Sequence, residues 1–287
     1  MALKIGLQMY SIRNAMSEDP VKAIRNAADI GYRYFELANL NALNDFGSGF
    51  FIPAKELRKA MDDINCQVIS AHIDPFLKEN VDKVLEYHVE LGTKYLMSKP
   101  FEGTRKDVEA ACETYRFLGE KCRAAGIQHC LHTGLAPFLD DGTWLLDVIF
   151  QNTDPCDLKF EVDSYWMMRS GFDPVDVIKK FSNRIMAVHQ KDLPKNFTGE
   201  VNINKLLGRG QNLTHKNFDQ FVNTTDFCEI GTGRMPVQKI INAVNEYTDA
   251  EYIILEQDFT THTEMESIKI SYNMLKNYEG VSWEEDS

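Results

Sequence analysis

The sequence predicts a single (β/α)8 barrel. Short apolar runs of strand length recur eight times, and each is followed by a segment with helix caps or helical periodicity. The 287 residues lie near the roughly 250 typical of that fold, with a loop insertion left over. Polar and ionisable residues close the apolar runs, and the C-terminal strand ends are where a barrel builds its active site.

The first strand is KIGLQMY (residues 4–10). A helix over 20–30 follows, with Asp19 as N-cap, Val21, Ile24 and Ala28 on one face, and Gly31 as the stop. YRYFELA (32–38) is the second strand, and Pro53 opens a helix reaching 64. QVISAHI (67–73) precedes a helix over 78–91, stopped by Gly92. KYLMSKP (94–100) leads to a long helix over 105–125, closed by Gly126. IQHCLHT (127–133) is the fifth strand, followed by a helix over 142–150. LKFEVD (158–163) and a helix over 174–181 come next, then RIMAVH (184–189). Residues 193–228 break the rhythm. They are polar, hold Gly199, Gly208 and Gly210, and are expected to contain short helices near 201–207 and 216–222. A helix over 236–246, the strand EYIILEQD (251–258) and a last helix over 264–278 complete the count. No linker or low-complexity stretch divides the chain, so residues 1–287 are expected to form one domain, with 193–228 as an insertion or lid-like loop.

Composition narrows the function. Hydrophobic residues make up 44% and charged residues 26%, ordinary for a protein with a large core. The net charge of −12 argues against nucleic acid as a partner, because phosphate contacts need a basic surface. The six cysteines are scattered without a C-x-x-C pair, no run reaches membrane-span length, and the opening MALKIGLQMYSIRN has no signal-peptide pattern. A cytoplasmic protein without disulfides or a membrane partner is the expectation. GLQMYS is not G-x-G-x-x-G, so a dinucleotide site has no support.

The strand ends carry the chemistry: Gln8 and Tyr10, Glu36, His72, Lys99, His132, Glu161 and Asp163, His189 and Lys191, Glu256 and Asp258. Carboxylates and imidazoles converging on one mouth repel or desolvate each other unless a cation joins them. Mixed imidazole and carboxylate donors suit Mn, Co, Fe or Zn. For single residues the plainer readings stand beside this one. Lys99 fits a solvated side chain, Glu161 fits a pair with a lysine beneath the mouth, and Trp166 fits a core or rim aromatic. His88, His129, His215 and His262 sit on helices, mid-strand or in loops, and are taken as structural.

Several stretches resemble a known family. GLQMYSIR (6–13) with IGYRYFELA (30–38), FEVDSYWMMRSGFDPVDVIKKFSNRIMAVHQKD (160–192), EIGTGRMP (229–236) and YIILEQD (252–258) are similar to the xylose isomerase-like TIM barrels, the sugar phosphate isomerase/epimerase group. The resemblance spans nearly the whole chain, and 160–192 is its most specific part. It implies a divalent metal on Asp163, His189 and Glu256. The fifth strand departs from the pattern. Relatives often carry Tyr-His-Asn-His-x-x-Glu-Phe here, whereas this chain reads LHTGLAPF (131–138), which keeps His132 but has Gly134 and Pro137 in place of the second histidine and the glutamate. Either His132 completes a site of two histidines and two carboxylates, or three protein ligands and water hold the metal, or the metal is lost.

The resemblance further implies proton abstraction beside a carbonyl, with Glu256 as one base and His132 or Glu36 as the second. His72 and Lys191 would bind substrate oxygens, and Tyr10 and Trp166 would stack on a sugar face. Gly231 and Gly233 have Arg234 as their only basic neighbour, so a phosphorylated substrate is not implied. The expected activity is a metal-dependent isomerase or epimerase of a keto-sugar or cyclic polyol. The alternatives are a related dehydratase or lyase, or a barrel with a decayed site serving as a binding subunit. The expected partner is a small carbohydrate. Residues 193–228 fit either a specificity loop or a contact within a homo-oligomer. Abasic-site endonucleases share the superfamily, but they need more ligands and a basic groove.

Overall fold

A computed structural model describes residues 2–282, apart from Arg209 and His215. His215 therefore lies outside the described residues, as do the ends of the expected 1–287 domain.

β1 (Leu3–Gln8) is followed by a 3-10 turn, Met9–Ile12, and by α1 (Arg13–Glu18), which the sequence reading did not anticipate. α2 (Pro20–Ile30) begins with Asp19 accepting from the Lys22 backbone N–H at 3.0 Å and with proline in its first turn. Gly31 ends it at φ +125°, where a Cβ would lie 2.2 Å from the Tyr272 hydroxyl. β2 (Tyr34–Asn39), α3 (Ala54–Asp62), β3 (Gln67–Ile73), α4 (Val81–Leu91), β4 (Tyr95–Ser98) and α5 (Arg105–Ala124) follow as expected. So do β5 (Gln128–His132), α6 (Leu145–Gln151) and β6 (Lys159–Asp163). α7 (Ser164–Arg169) is unexpected and starts directly at the end of β6, because the Asp163 side chain accepts from the Trp166 N–H at 2.8 Å and caps the new helix. α8 (Pro174–Lys180), β7 (Ile185–Gln190), α9 (Phe218–Phe221), α10 (Val237–Tyr247), β8 (Tyr252–Leu255) and α11 (Glu264–Leu275) complete the alternation. A two-residue β9 (Val281–Ser282) pairs with Leu3 and Lys4.

The strands run β2-β3-β4-β5-β6-β7-β8-β1, all parallel, and a β1–β2 pairing closes the ring. This is a (β/α)8 barrel. Its floor is aromatic. Tyr34 and Tyr252 meet at 5.3 Å, Tyr95 and Tyr252 at 6.4 Å, and the Lys4 ammonium stands 5.2 Å from the Tyr34 ring. Such ring pairs contribute about 0.5–1.5 kcal/mol each beyond burial. The opposite, C-terminal mouth is where the polar strand ends gather.

The described residues of 193–228 pack against the barrel at several points. Leu193, Ile203, Val222 and Phe227 are buried. The buried Arg169 of α7 donates to the Tyr165 hydroxyl at 2.8 Å and to the Phe221 carbonyl at 3.3 Å, and it pairs with Asp226 at 3.3 Å. The expected helices shrink to a 3-10 turn at Ile203–Lys205 and to α9.

Candidate metal centre

A strand alternates its side chains, so residues two apart face the barrel axis together. That period brings Glu161 and Asp163 of β6, His189 and Lys191 at the end of β7, and Glu256 and Asp258 after β8 to one mouth. Glu36 on β2, His72 on β3 and His132 on β5 join them. The cluster has two storeys.

The lower storey is organised by Glu36, which is fully buried. Its carboxylate accepts from the Gln8 amide at 2.7 Å and the Ser70 hydroxyl at 2.5 Å. It also lies 2.6 Å from His189 Nε2 and 3.0 Å from His72 Nε2. Burial opposes its charge, yet the two imidazoles overcome that and hold the carboxyl well below its usual range. Burial likewise works against a charged His72, but Glu36 and Glu161 raise it to about 9. Glu161 Oε2 sits 2.9 Å from His72 Nε2 and 3.3 Å from His189 Nε2. Burial and the nearby Glu36 charge push the Glu161 carboxyl upward. Glu161 thus pairs with histidines of the mouth, as its place beside Asp163 among the strand ends suggests, and the plainer alternative of a lysine beneath the mouth does not hold.

In the upper storey, His189 Nδ1 lies 2.8 Å from Glu256 Oε2. Lys191 Nζ donates to Asp163 Oδ2 at 2.8 Å and to Glu256 Oε2 at 2.5 Å, and stands 3.4 Å from Asp258. Burial disfavours the ammonium, but Asp163, Asp258 and Glu256 raise its pKa well above the ordinary lysine value. Burial lifts Asp258 to about 7 despite Lys191. His132 Nε2 is buried without a hydrogen-bond partner, 3.9 Å from Asp163 Oδ2. Burial, and then the neighbouring imidazoles of His72 and His189, keep this ring neutral.

Among the described residues two overlapping sets offer donors within 4.8 Å of one another: His72, His132, Glu161 and His189, and His132, Asp163, His189 and Glu256. The second offers a divalent ion two carboxylates against the one of the first. Donors are already engaged in both sets, His72 Nε2 by Glu36 and Glu161 in the first, and Asp163 and Glu256 by Lys191 in the second. In the second, Glu36 holds His189 by Nε2, which leaves Nδ1 facing Glu256, the arrangement by which outer carboxylates orient a ligating histidine. The orphaned His132 Nε2 supplies the remaining nitrogen.

The other sequence candidates are placed as follows. Trp166 is buried on α7, and the Lys191 ammonium stands 5.8 Å from its ring. A Cβ on Gly134 would meet that ring at 3.9 Å, so the position expected to carry a second histidine opens onto Trp166. Tyr10 lies in the turn after β1, with the Arg13 guanidinium 4.4 Å from its ring and Arg13 also donating to the Asp258 carbonyl at 2.7 Å. Lys99 pairs with Asp74 at 2.6 Å, away from the cluster. His88 and His129 are buried outside the site.

The glycine-rich return is already occupied. Asp192 accepts from the backbone N–H groups of Gly231 at 2.9 Å, Gly233 at 3.1 Å, Met235 at 2.9 Å and Leu193 at 2.8 Å. An internal carboxylate fills the cradle that a phosphate would need.

The profile of the xylose isomerase-like TIM barrel family matches residues 24–278. An inosose dehydratase of Clostridium perfringens is 23% identical over 240 residues, 75% of this chain and 77% of that one. The solved structure of a sugar phosphate isomerase/epimerase from Parabacteroides distasonis superposes with a TM-score of 0.74 at 24% identity, covering 98% of this chain and 96% of that one. The IolI protein with a bound zinc atom superposes with a TM-score of 0.71 at 12% identity, covering 96% and 97%. No helix among the described residues is long and apolar enough to cross a membrane.

Proposed function

The chain belongs to the xylose isomerase-like TIM barrel family, and on that premise we propose that it is a divalent-metal dehydratase of a keto-polyol or keto-sugar. His132, Asp163, His189 and Glu256 would hold the ion. Two imidazoles with two carboxylates suit Zn, Fe, Co or Mn better than Mg. Bound there, the ion supplies Lewis acidity toward the carbonyl and hydroxyl oxygens of a substrate. The zinc on the IolI neighbour supports the class of ion.

The observation that carries the choice of reaction is the fifth strand. Epimerisation by two carboxylates needs one on each face of the substrate, and here β5 supplies His132, with Pro137 where the family pattern has glutamate. Loss of water needs only one face. Glu256 takes the proton beside the carbonyl, the C–H electron pair becomes a C=C bond, and the carbonyl oxygen gains the charge. When the carbonyl re-forms, the C=C electron pair shifts to a new double bond between the deprotonated carbon and the next one. The C–O bond to the hydroxyl on that next carbon breaks, its electron pair leaving with the oxygen. Glu256 returns its proton to that oxygen, and water leaves. The similarity to an inosose dehydratase points the same way.

Lys191 would bind a substrate oxygen, and the Trp166 and Tyr10 rings would meet the carbon face. His72 has its Nε2 committed to Glu36 and Glu161, so it braces the neighbouring imidazoles. Glu36 positions His189 from below. The test is to incubate Zn- or Mn-loaded protein with inososes and keto-sugars in D2O and follow the products by NMR. Loss of water, with the substrate's C–H exchanged no faster than product forms, supports the reading. Deuterium entry with inverted configuration would make the protein an epimerase, and no reaction across the panel would favour a decayed site.

A further inference from the structure

Asp163 and Glu256 are already bridged. The Lys191 ammonium sits 2.8 Å from Asp163 Oδ2 and 2.5 Å from Glu256 Oε2, buried, at the end of the same strand that carries His189. A cation drawing on those two carboxylates meets a tethered positive charge in the same place, and the two repel. Lys191 also has a second seat. Asp258 Oδ1 lies 3.4 Å from Nζ, and the Trp166 ring centre lies 5.8 Å away.

We infer that Lys191 is a built-in counter-ion that competes with the divalent ion for Asp163 and Glu256, and that metal binding displaces its ammonium toward Asp258 and the Trp166 face. This rests on the proposed metal site. Without metal, Lys191 neutralises carboxylates that would otherwise destabilise the mouth. With metal, the same ammonium is moved to the side from which it reaches a substrate oxygen. The site is thereby ready for substrate only when the metal is in. A long flexible stem carrying a compact charge suits such a move, which a planar guanidinium would make poorly.

The experiment is calorimetric titration of Zn2+ into the metal-free protein, the Lys191→Met and Asp258→Asn variants and the double variant, with Co2+ absorption as a second readout of the ligand field. Competition predicts that Lys191→Met binds Zn2+ about tenfold or more tightly than wild type while its metal-free form melts lower. It also predicts that Asp258→Asn weakens Zn2+ binding more in wild type than in the Lys191→Met background, because an ammonium that has left Asp163 and Glu256 leans on Asp258 more than the bridging one, which already stands 3.4 Å from it. Should Lys191→Met fail to fold without metal, refolding it in Zn2+ and titrating the metal off with a chelator gives the same comparison. Equal or weaker binding by Lys191→Met, with wild type binding normally, overturns the inference and leaves the metal site standing. Binding by neither protein removes the metal site itself and the inference with it. Binding by Lys191→Met alone is the strongest form of the expected result.

Discussion

Glu36 and His189, 153 residues apart in sequence, meet inside the barrel at 2.6 Å. The contact fixes the ring by Nε2 and turns Nδ1 toward Glu256, 2.8 Å away. A carboxylate on the second strand thereby sets the ring orientation of the histidine on the seventh.

Replacing Glu36 by Gln removes a buried charge from between two imidazoles. Breaking one side of a buried ionic cluster costs on the order of 3–5 kcal/mol, and loss of an outer carboxylate costs about 10–100-fold in metal affinity. Urea unfolding of the metal-free variant and Zn2+ calorimetry check both numbers. A variant as stable as wild type, with unchanged affinity, would show that Glu36 does not orient His189.

Arg169 ties α7 to residues 221–226 through Tyr165, the Phe221 carbonyl and Asp226. Arg169→Met leaves Asp226 buried without its cation. A loss of about 3 kcal/mol is expected, together with faster tryptic cleavage between residues 195 and 216. If the cleavage rate there does not change, the segment is held by its apolar contacts alone.

Gly233→Ala tests the Asp192 cradle. A Cβ at Gly233 would fall 2.2 Å from Asp192 Oδ1 and 2.4 Å from the Leu193 carbonyl. The backbone must shift and the Asp192 hydrogen bonds open, at a cost of roughly 2–4 kcal/mol by the loss of several bonds to a charged acceptor. Thermal melting of the purified variant reads this directly, and a shift within error of wild type would contradict the packing.

Two histidines outside the proposed metal site contribute to the acid side of the stability profile. Burial depresses His88 to about 3 and His129 to about 4. The unfolded chain takes up a proton at each near pH 6.5, while the folded chain does not. Their contribution is therefore complete above about 6.5 and is lost as pH falls toward the folded values, by about 1.4 kcal/mol per pH unit for each histidine. Urea unfolding of wild type and His88→Gln in chelator from pH 7 to 5 isolates one contribution, because other titrating groups cancel in the difference. The wild type should lose about 1.4 kcal/mol per pH unit relative to the variant below pH 6.5. A difference that does not change with pH would mean that His88 accepts a proton in the folded state.

Much of the barrel was legible in the sequence because parallel strands buried on both faces read as continuous apolar runs, with caps and glycines marking the helices between them. The helix over 20–30 coincides with α2, where Asp19, Pro20 and Gly31 each mark a boundary. What local pattern hid was tertiary. α7 exists because Asp163 turns one carboxylate oxygen back onto the Trp166 N–H, which a strand-end aspartate does not announce. Ser70 and Gln8 hold Glu36 only once the strands are in register. Lys191 looked like a residue for substrate oxygens, and its grip on Asp163 and Glu256 depends on three strands meeting.

The most direct measurement is anomalous diffraction from crystals grown with Zn2+ or Mn2+. The proposal predicts one strong peak bounded by His132 Nε2, His189 Nδ1 and carboxylate oxygens of Asp163 and Glu256, at about 2.0–2.2 Å from each donor. A peak lower in the barrel at His72 and Glu161, or no peak at saturating metal, would contradict it.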